Sequence, residues 1–188
     1  MQPVTTSEIK NIAEYELVRP EWRRQVMALK DRRRIHVGDH VTFLFENHQT
    51  IVYQIQEMMR AERLVRPEEI ANEVAVYNEL IPARGELSAT LLIEYETPAE
   101  RDVRLRELVG LERHVWLEVQ GQRVLARFDD RQMSPERLSA VQYLKFQLTP
   151  QQAKTFPQDA RLIIDHPHYR AEQTLSAEQR AELAPDLE

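Results

Sequence analysis

The pattern of apolar and polar positions predicts a chain in which helices alternate with strands. Apolar residues spaced by three and four are typical of helices, whereas β-branched and aromatic runs are typical of strands. These patterns predict a short helix from Ser7, longer helices over 20–34, 50–65, 67–81, 98–109 and 177–183, and strands over 35–37, 41–46, 87–95, 115–119, 123–128, 140–148 and 161–164. The expected class is α+β, with N-terminal helices and a helical hairpin packed on one mostly antiparallel β-sheet.

Two consecutive predicted helices each carry a glutamate within the apolar stripe. Glu62 continues the stripe of the helix over 50–65, and Glu73 interrupts that of the helix over 67–81. The connection is short, so the helices should be antiparallel neighbours whose stripes face the same interior. A carboxylate that leaves water without a partner costs several kcal/mol. We therefore expect Glu62 and Glu73 to bind an arginine, a metal or each other through a shared proton.

Further charged and polar residues extend this pair into a candidate functional or ion-pair cluster. A site made of glutamates alone would suit a hard cation. The favoured interpretation is a buried ion-pair network, because arginine binds a carboxylate through two N–H groups and stays charged when desolvated. The sequence favours no metal and no cofactor. The candidate residues are Arg33, Glu46, Gln54, Glu57, Arg60, Glu62, Glu73, Glu79, Arg84, Asp165 and His166.

The net charge of −6 conceals a separation of charge along the chain. Residues 19–37 carry seven basic side chains against two acidic ones, whereas residues 38–100 carry twelve carboxylates against four arginines. A basic helix in an acidic chain can bind phosphates or fold against its own acidic neighbours. Folding against the neighbours is favoured. Nucleic-acid binding through Arg32–Arg34 is disfavoured because aromatic residues do not alternate with the basic run.

Several chemistries are excluded by residue types that are absent or badly spaced. The chain has no cysteine, which excludes disulfides, thiolate metal sites and cysteine nucleophiles. Its four glycines are far apart, and no serine has the flanking glycines of a hydrolase elbow. The Glu-x-x-His spacing of di-iron bundles is absent. The histidine pairs His36 with His40 and His166 with His168 are poorly placed to converge on one metal.

Length and the order of residue types favour one cytoplasmic α+β domain over residues 1–188. A chain of 188 residues is long enough to bury a sizeable core, and no Gly- or Ser-rich linker divides it. Its first ten residues lack the basic and apolar order of a signal peptide, and no segment has the roughly 20 apolar residues that span a bilayer. Residues 172–188 are predicted to form an acidic C-terminal helix and tail that is exposed or docks on a partner.

Five blocks of the sequence together resemble the bacterial family called domain of unknown function 3501. The most specific block contains Gln-Ile-Gln-Glu-Met, and the resemblance runs through nearly the whole chain. It carries over no reaction, cofactor or catalytic residue. The family's association with rubrerythrin-like proteins and an iron–sulfur oxidoreductase implies a cytoplasmic accessory role in a peroxide or electron-transfer system. The blocks are Lys30–Gly38, Phe43–Glu62, Tyr77–Glu94, Ser139–Leu148 and Asp165–Ala171.

Two functional hypotheses from different classes remain open at this point. The first is a non-catalytic binding or adaptor protein that uses its separated charges to dock on a redox partner, with a homodimer also possible. The second is a small-molecule enzyme in which the inward carboxylates and His166 form an acid–base site, with or without a metal. The first is favoured because no complete active-site signature is present.

Overall fold

A computed structural model of the chain describes residues 1–132 and 134–188. The helices are α1 (Ile12–Arg32), α2 (His48–Glu62), α3 (Pro67–Asn78), α4 (Pro98–Glu107), α5 (Pro150–Thr155) and α6 (Ala177–Leu183). The strands are β1 (Arg34–His36), β2 (Val41–Glu46), β3 (Glu86–Ile93), β4 (Val115–Val119), β5 (Gln122–Leu125), β6 (Arg127–Phe128), β7 (Val141–Gln147), β8 (Arg161–His166) and β9 (Tyr169–Thr174). The predicted α+β class is confirmed.

The strands form two antiparallel sheets, so the prediction of a single sheet is wrong. One sheet has the order β1-β2-β3-β7-β6 and the other the order β5-β4-β8-β9. The run predicted as one strand over 123–128 is divided between them: β5 pairs with β4, and β6 pairs with β7. Between the two pieces, the N–H of Ala126 still donates to the carbonyl of Val115 at 2.9 Å. This crossing joins the two sheets along one side.

The main hydrophobic core lies between the two sheets. Alternate residues of β2, β3 and β7 point into it, as do alternate residues of β4 and β8, which is the pattern expected of two sheets packed face to face. Phe45, Leu91 and Phe146 come from the first sheet, and Leu117 and Ile164 from the second. Residues of α4, α5 and α6 contribute to the same cluster.

A helical layer formed by α1, α2 and α3 covers the other face of the five-stranded sheet. Every residue of β2 is buried, which shows that both faces of this strand are covered. The helices share a second hydrophobic cluster that contains Ile51, Ile55, Met59 and Val74. The polar face of the sheet therefore lies against helices, and the candidate residues of α2 and α3 are placed next to it.

Helix α1 begins earlier than the sequence predicts. Its N-cap is Asn11, whose side chain accepts a hydrogen bond from the N–H of Glu14 at 3.0 Å. Pro20 lies inside the helix and does not begin it. The prediction was wrong because it treated proline as a start signal, whereas a capped helix can continue through a proline that removes one N–H donor.

The C-terminal segment belongs to the body of the fold and is not a peripheral tail. Helix α6 has the predicted bounds, and Ser176 caps it by accepting from the N–H of Gln179. Leu183 and Leu187, however, are buried in the main core. The sequence missed α5 and β9 because both are short and largely polar. Within the described residues, no helix is both long and apolar enough to cross a membrane.

Candidate functional site

Glu62 is exposed, so the prediction that it faces an interior is wrong. The buried stripe of α2 runs through Ile51, Ile55 and Met59, and Met59 is only 1% exposed. Glu62 is the last residue of the helix, and Arg63 follows in the left-handed conformation with φ of 54°. The final turn therefore extends beyond the hydrophobic cluster, and Glu62 does not meet Glu73.

The three arginines proposed as partners bind elsewhere or remain exposed. Arg33 is 1% exposed and pairs with the buried Asp186, while its Nε donates to the carbonyl of Phe45 at 2.9 Å. Arg60 pairs with Glu16 at 2.5 Å across the α1–α2 interface. Arg84 is exposed. The predicted network between these arginines and the two mid-stripe glutamates is therefore not formed.

Glu57 is the candidate carboxylate that does bind an arginine, although the arginine is Arg19 of α1. Arg19 donates from Nε to Oε1 at 2.7 Å and from Nη2 to Oε2 at 2.9 Å. The hydroxyl of the fully buried Tyr15 also donates to Glu57. The hydrogen bonds from Arg19 are the main cause that holds the pKa of Glu57 below its ordinary value. This triad joins α1 to α2.

The basic block of α1 is largely neutralised by the chain's own carboxylates. Arg32 pairs with Glu182 at 2.8 Å, and Arg34 pairs with Asp31 at 3.3 Å. With Arg19, Arg24 and Arg33 also paired, five arginines of residues 19–37 bind acidic residues, two of which, Glu21 and Asp31, belong to the same segment. Folding against acidic segments thus neutralises Arg19, Arg32 and Arg33, through Glu57 of α2 and through Glu182 and Asp186 of the C-terminal segment.

Glu46 at the end of β2 is buried without a cationic partner among the described residues. It is 7% exposed, and the hydroxyls of Thr50 and Thr90 donate to its two carboxylate oxygens at 2.5 and 2.7 Å. Thr50 lies at the start of α2, where the helix dipole also favours a negative charge. Two hydroxyl donors and a helix N-terminus therefore replace the arginine that the sequence predicts.

A cleft opens beside Glu46, between α3 and the polar face of the five-stranded sheet. We call it the α3 cleft. It consists of two lobes, of about 130 and 240 Å³, that share Glu79, Leu80, Asp129, Arg131 and Tyr143 as lining residues. The smaller lobe is completed by Ser88, Arg127, Phe128, Leu144 and Lys145, and the larger one by Glu73, Val76 and Tyr77.

Two tyrosines line the inner wall of the α3 cleft. Burial raises the pKa of Tyr143 above its ordinary value, and the carboxylates of Glu46 and Asp129 raise it further. Burial also raises the pKa of Tyr77, against a smaller opposing effect of a hydrogen bond from Gln54. Both phenols consequently remain protonated near neutral pH. The hydroxyl of Tyr143 makes no hydrogen bond to the part of the chain that is described, which leaves it free to donate to a ligand.

The charged groups of the α3 cleft are unevenly paired. In the smaller lobe, Glu86 lies beneath two cations: Lys145 Nζ is 2.8 Å from its Oε1, and Arg127 Nη2 is 3.2 Å from its Oε2. Where the two lobes meet, Arg131 pairs with both Glu79 and Asp129. The charges that the lobes do not share therefore differ in sign: Arg127 and Lys145 line only the smaller lobe, and Glu73 lines only the larger one.

Glu73 gives the larger lobe an additional negative charge. This half-buried carboxylate lines the larger lobe and has no ion-pair partner among residues 1–132 and 134–188. Glu73, on α3, and Glu79, which directly follows this helix, both line the larger lobe, so these two candidate residues face an open cleft and not a sealed interior.

Asp165 and His166 lie in a separate cluster on the four-stranded sheet. Asp165 Oδ1 accepts from His114 Nδ1 at 3.1 Å and from Trp116 Nε1 at 3.2 Å. His166 Nδ1 accepts from the N–H of His168, so its Nε2 carries the proton and donates to the Val109 carbonyl at 3.3 Å. Burial lowers the pKa of His166, which keeps the ring neutral. His166 and the glutamates therefore form no common acid–base site.

The histidines do not converge with other ligands on a metal site. No group of three or more His, Asp or Glu residues in the described part of the chain has the geometry to hold a metal ion. His36 Nδ1 lies 2.8 Å from the hydroxyl of Thr42, and His40 Nδ1 lies 3.0 Å from the carbonyl of Glu94. Each ring of this pair is thus engaged separately.

A shallow groove lies along α1, and we call it the α1 groove; one of its two depressions is largely apolar, whereas the other is lined mainly by polar side chains. It is formed by two depressions of about 520 and 530 Å³ that share Lys10, Trp22 and Gln25. Leu17, which is 85% exposed, and Val18 lie at one end. Trp22 stands at the centre of the groove, and its inner edge packs on Tyr15 at 5.5 Å between ring centroids.

Several residues that line the α3 cleft and the α1 groove were not identified as candidates from the sequence. The cleft residues Tyr77, Arg127, Arg131, Tyr143 and Lys145 lie on four different elements or connections, so local spacing relates only Tyr143 and Lys145. The alternation of β7, in which Tyr143 and Lys145 share one face, is the available signal. Leu17 was overlooked because the helix was predicted to begin at Pro20.

Comparisons with known proteins identify relatives without a stated activity. A family model described as "Protein of unknown function (DUF3501)" matches residues 3–187. A crystal structure of a protein of unknown function from Burkholderia pseudomallei K96243 is 33% identical in sequence, has a TM-score of 0.94, and is covered over 100% of both chains. No curated protein matches the chain.

Proposed function

Because this chain belongs to the family called domain of unknown function 3501, we propose that it is a non-catalytic adaptor that acts in the cytoplasm. Its partner is a rubrerythrin-like or iron–sulfur protein of a peroxide or electron-transfer system, the class that the family resemblance implies. The adaptor binds this partner through the α1 groove.

The observation that carries this proposal is the exposure of Leu17 beside Trp22. An isolated apolar residue on a surface is ordinary, whereas an apolar depression formed by Leu17, Val18 and Trp22 together has the composition of a protein-binding site. Trp22 is held in place from behind by its edge-to-face contact with Tyr15. A rigid, half-exposed indole supplies contact area at a small cost in conformational entropy.

Charge indicates the chemistry of the partner. Among the charged groups of the α1 groove, Glu8 binds His48 at 2.7 Å and Glu21 binds Arg24. Lys10 lines both depressions and has no ion pair within the described ranges. A segment with apolar residues and a carboxylate would fill the groove and pair with Lys10, so we expect an acidic segment of the partner to bind there.

The state of the candidate carboxylates supports binding over acid–base catalysis. Glu57 is bound by Arg19, Glu46 is bound by two threonines, and Glu62 is exposed. His166 lies on the other sheet. A catalytic acid–base pair needs two groups within reach of one substrate, and these residues do not provide it.

The proposal is tested by measuring binding to purified rubrerythrin-like and iron–sulfur proteins encoded beside members of the family. We expect micromolar affinity at low salt, and a loss of at least tenfold for Trp22→Ala. Lys10→Glu should weaken binding and flatten its dependence on salt, because the attraction to the partner's carboxylate is lost.

The matched control is Val103→Ser, which replaces an exposed apolar residue on α4, away from the α1 groove, and should leave affinity unchanged. Absence of binding to both classes of protein at low salt would overturn the proposal. So would equal loss of affinity in the control. Self-association that Trp22→Ala abolishes, measured by sedimentation, would assign the groove to a homodimer instead.

A further inference from the structure

Residues 1–10 lie across α2 and α3, and we call them the N-terminal strap. Val4 of the strap is 3% exposed, because it packs into the hydrophobic cluster that the helices of this layer share. We propose that the N-terminal strap docks on α2 and α3 when His48 is protonated and detaches when His48 loses that proton. The strap is therefore a pH-sensitive device built into the helical layer.

Two side-chain amides of the helical layer hold the strap by its backbone. Asn78 of α3 accepts from the N–H of Val4 at 2.8 Å and donates to the carbonyl of the same residue at 2.9 Å. Gln56 of α2, which is 1% exposed, accepts from the N–H of Lys10 at 2.7 Å and donates to its carbonyl at 3.1 Å. Each amide thus binds both backbone groups of one residue, as a neighbouring β-strand does. The strap is held in the manner of a bound peptide.

His48, the first residue of α2, binds the strap through both nitrogens of its ring. Nδ1 lies 2.9 Å from the carbonyl oxygen of Gln2, and Nε2 lies 2.7 Å from Oε2 of Glu8. A hydrogen bond from the N–H of Thr5 is the main cause that holds the pKa of Glu8 below its ordinary value, so this carboxylate is ionised near neutral pH. A carbonyl and an ionised carboxylate only accept hydrogen bonds, so both ring nitrogens of His48 must donate. The docked arrangement therefore requires the imidazolium form.

No other histidine in the described part of the chain has acceptors at both ring nitrogens. His36, His40 and His114 each make a hydrogen bond through Nδ1 alone, and Nδ1 of His166 accepts from a backbone N–H. A neutral imidazole, with one donor and one acceptor nitrogen, can satisfy each of these arrangements. Only at His48 does loss of a proton remove a hydrogen bond that the observed geometry needs.

The charged groups that face His48 come mainly from the strap itself. Glu8 and Lys10 line the same depression as His48, and the sulfur of Met1, the residue that carries the α-amino group, lies 3.0 Å from the N–H of His48. Glu46, two residues before His48, is bound by two threonine hydroxyls. Helix α1 contributes only uncharged residues to this depression, namely Trp22, Gln25, Val26 and Leu29. The helices that line the depression thus offer no second cation to replace the imidazolium.

The sign of the pH dependence follows from these contacts. Docking favours the protonated ring, so it weakens as the pH rises and His48 becomes neutral. Histidine ordinarily changes its charge between about pH 5 and 8. Detachment would remove Ser7, Glu8 and Lys10 from the wall of the α1 groove. The inference does not rest on the adaptor role, because no partner takes part in docking.

An introduced thiol measures docking directly, because the chain has no cysteine of its own. Val4→Cys places the thiol at a position that is 3% exposed, and Val76→Cys, at a 50% exposed position of α3, is the matched control. We expect the ratio of their labelling rates with a maleimide to rise at least threefold from about pH 6 to about pH 8. Taking the ratio removes the general increase of thiolate with pH, which affects both variants.

A second substitution assigns this change to His48. His48→Gln, added to both cysteine variants, should raise the labelling ratio at about pH 6 to its value at about pH 8 and remove the dependence on pH. A glutamine amide has one donor group and one acceptor oxygen, so it cannot donate to both partners of the ring. His168→Gln, at an exposed histidine in the turn between β8 and β9, is the control and should change neither value. Long-range ¹H–¹⁵N spectra of the native chain should show protons on both ring nitrogens of His48 at about pH 6.

A labelling ratio that is the same at both pH values, or that still changes with pH in His48→Gln, would overturn the proposal. So would a single protonated nitrogen in the ring of His48 while the strap is docked. If Val4→Cys itself detaches the strap, it will be labelled as fast as Val76→Cys at both pH values. Hydrogen exchange of the Lys10 amide in the native chain then decides. Its protection, corrected for the intrinsic exchange rate, should fall at least threefold over the same pH range, and constant protection would refute the switch.

Discussion

The C-terminal segment and the α2–α3 pair differ in whether their carboxylates are buried. In the C-terminal segment, Asp186 is buried and binds Arg33, which is itself 1% exposed. In the α2–α3 pair, Glu62 is exposed and Glu73 lines an open cleft. The apolar periodicity of the sequence predicts the opposite arrangement. The buried ion pair forms between residues 153 positions apart, where the end of α1 meets the end of the chain.

The difference shows that contacts between segments far apart in sequence, and not helical spacing, determine which charges are buried here. The guanidinium of Arg33 donates to the backbone carbonyls of Phe45 and Glu46, at the end of β2. These hydrogen bonds hold the side chain in place. Asp186 and Glu182 then reach it from α6 and the turn that follows. Both carboxylates that bind Arg33 thus come from about 150 positions away, so no local window of sequence can reveal them.

The largest effect is expected from Asp186→Ala. Removing this carboxylate leaves the buried guanidinium of Arg33 without its closest partner, and breaking one side of a buried pair typically costs 3–5 kcal/mol. Glu182 remains 3.4 Å away and compensates in part. We therefore expect the free energy of unfolding to fall by about 3 kcal/mol in urea melts.

Glu188→Ala in the same segment is the control, because Glu188 is exposed and should tolerate the change. A double variant sharpens the comparison further. Arg33→Met with Asp186→Leu removes both charges, and it should recover most of the stability that Asp186→Ala loses. A loss below about 1 kcal/mol for Asp186→Ala would show that the pair is not buried in solution.

An intermediate effect, dependent on pH, is expected at Glu57. Because Arg19 lowers the pKa of Glu57 in the folded state, ionised Glu57 stabilises the protein above its unfolded pKa, which is about 4.3. This contribution is lost as the pH falls through that value to the lower folded pKa. Glu57→Gln should therefore cost about 1 kcal/mol at pH 7 and almost nothing in strong acid.

Chemical melts of the native chain and of Glu57→Gln from pH 7 down to acid would measure this convergence. Glu96→Gln, at an exposed position without an ion pair among the described residues, should show no such trend. If Glu57→Gln were equally destabilised at every pH, the contribution of Glu57 would come from packing and not from its charge.

The sequence predicted the elements better than their partners. The β1–β2 hairpin, α6 and the start of α3 at Pro67 follow from local turn, cap and proline signals, and the structure has them. Division into two sheets depends on β5 and β6 separating at Ala126, where the chain shows no glycine or proline to mark the break. The α3 cleft joins α3 to β6 and β7, so its members become neighbours only after the sheet has formed.

For the candidate carboxylates too, the sequence was less informative about the partner than about the residue itself. Glu57 was listed in a candidate functional or ion-pair cluster, and in the structure it binds an arginine of α1. The particular arginine was wrong, since antiparallel packing brings Arg19 and not Arg60 to its oxygens. Glu46 was expected to need a cation, but two threonine hydroxyls bind it. A hydroxyl partner carries no charge signal in a sequence.

The smallest effect is expected at Glu62, the residue that periodicity placed in the interior. Glu62→Ala should change the free energy of unfolding by less than about 0.5 kcal/mol, because the side chain is exposed. The carboxylate also lies at the C-terminal end of α2, where the helix dipole disfavours negative charge. Its removal therefore also removes a small unfavourable interaction.

Met59→Ala is the matched comparison. It lies one turn earlier, is 1% exposed, and should cost about 2–4 kcal/mol. A loss above 2 kcal/mol for Glu62→Ala in the same urea melts would restore Glu62 to the interior and remove the contrast with Asp186.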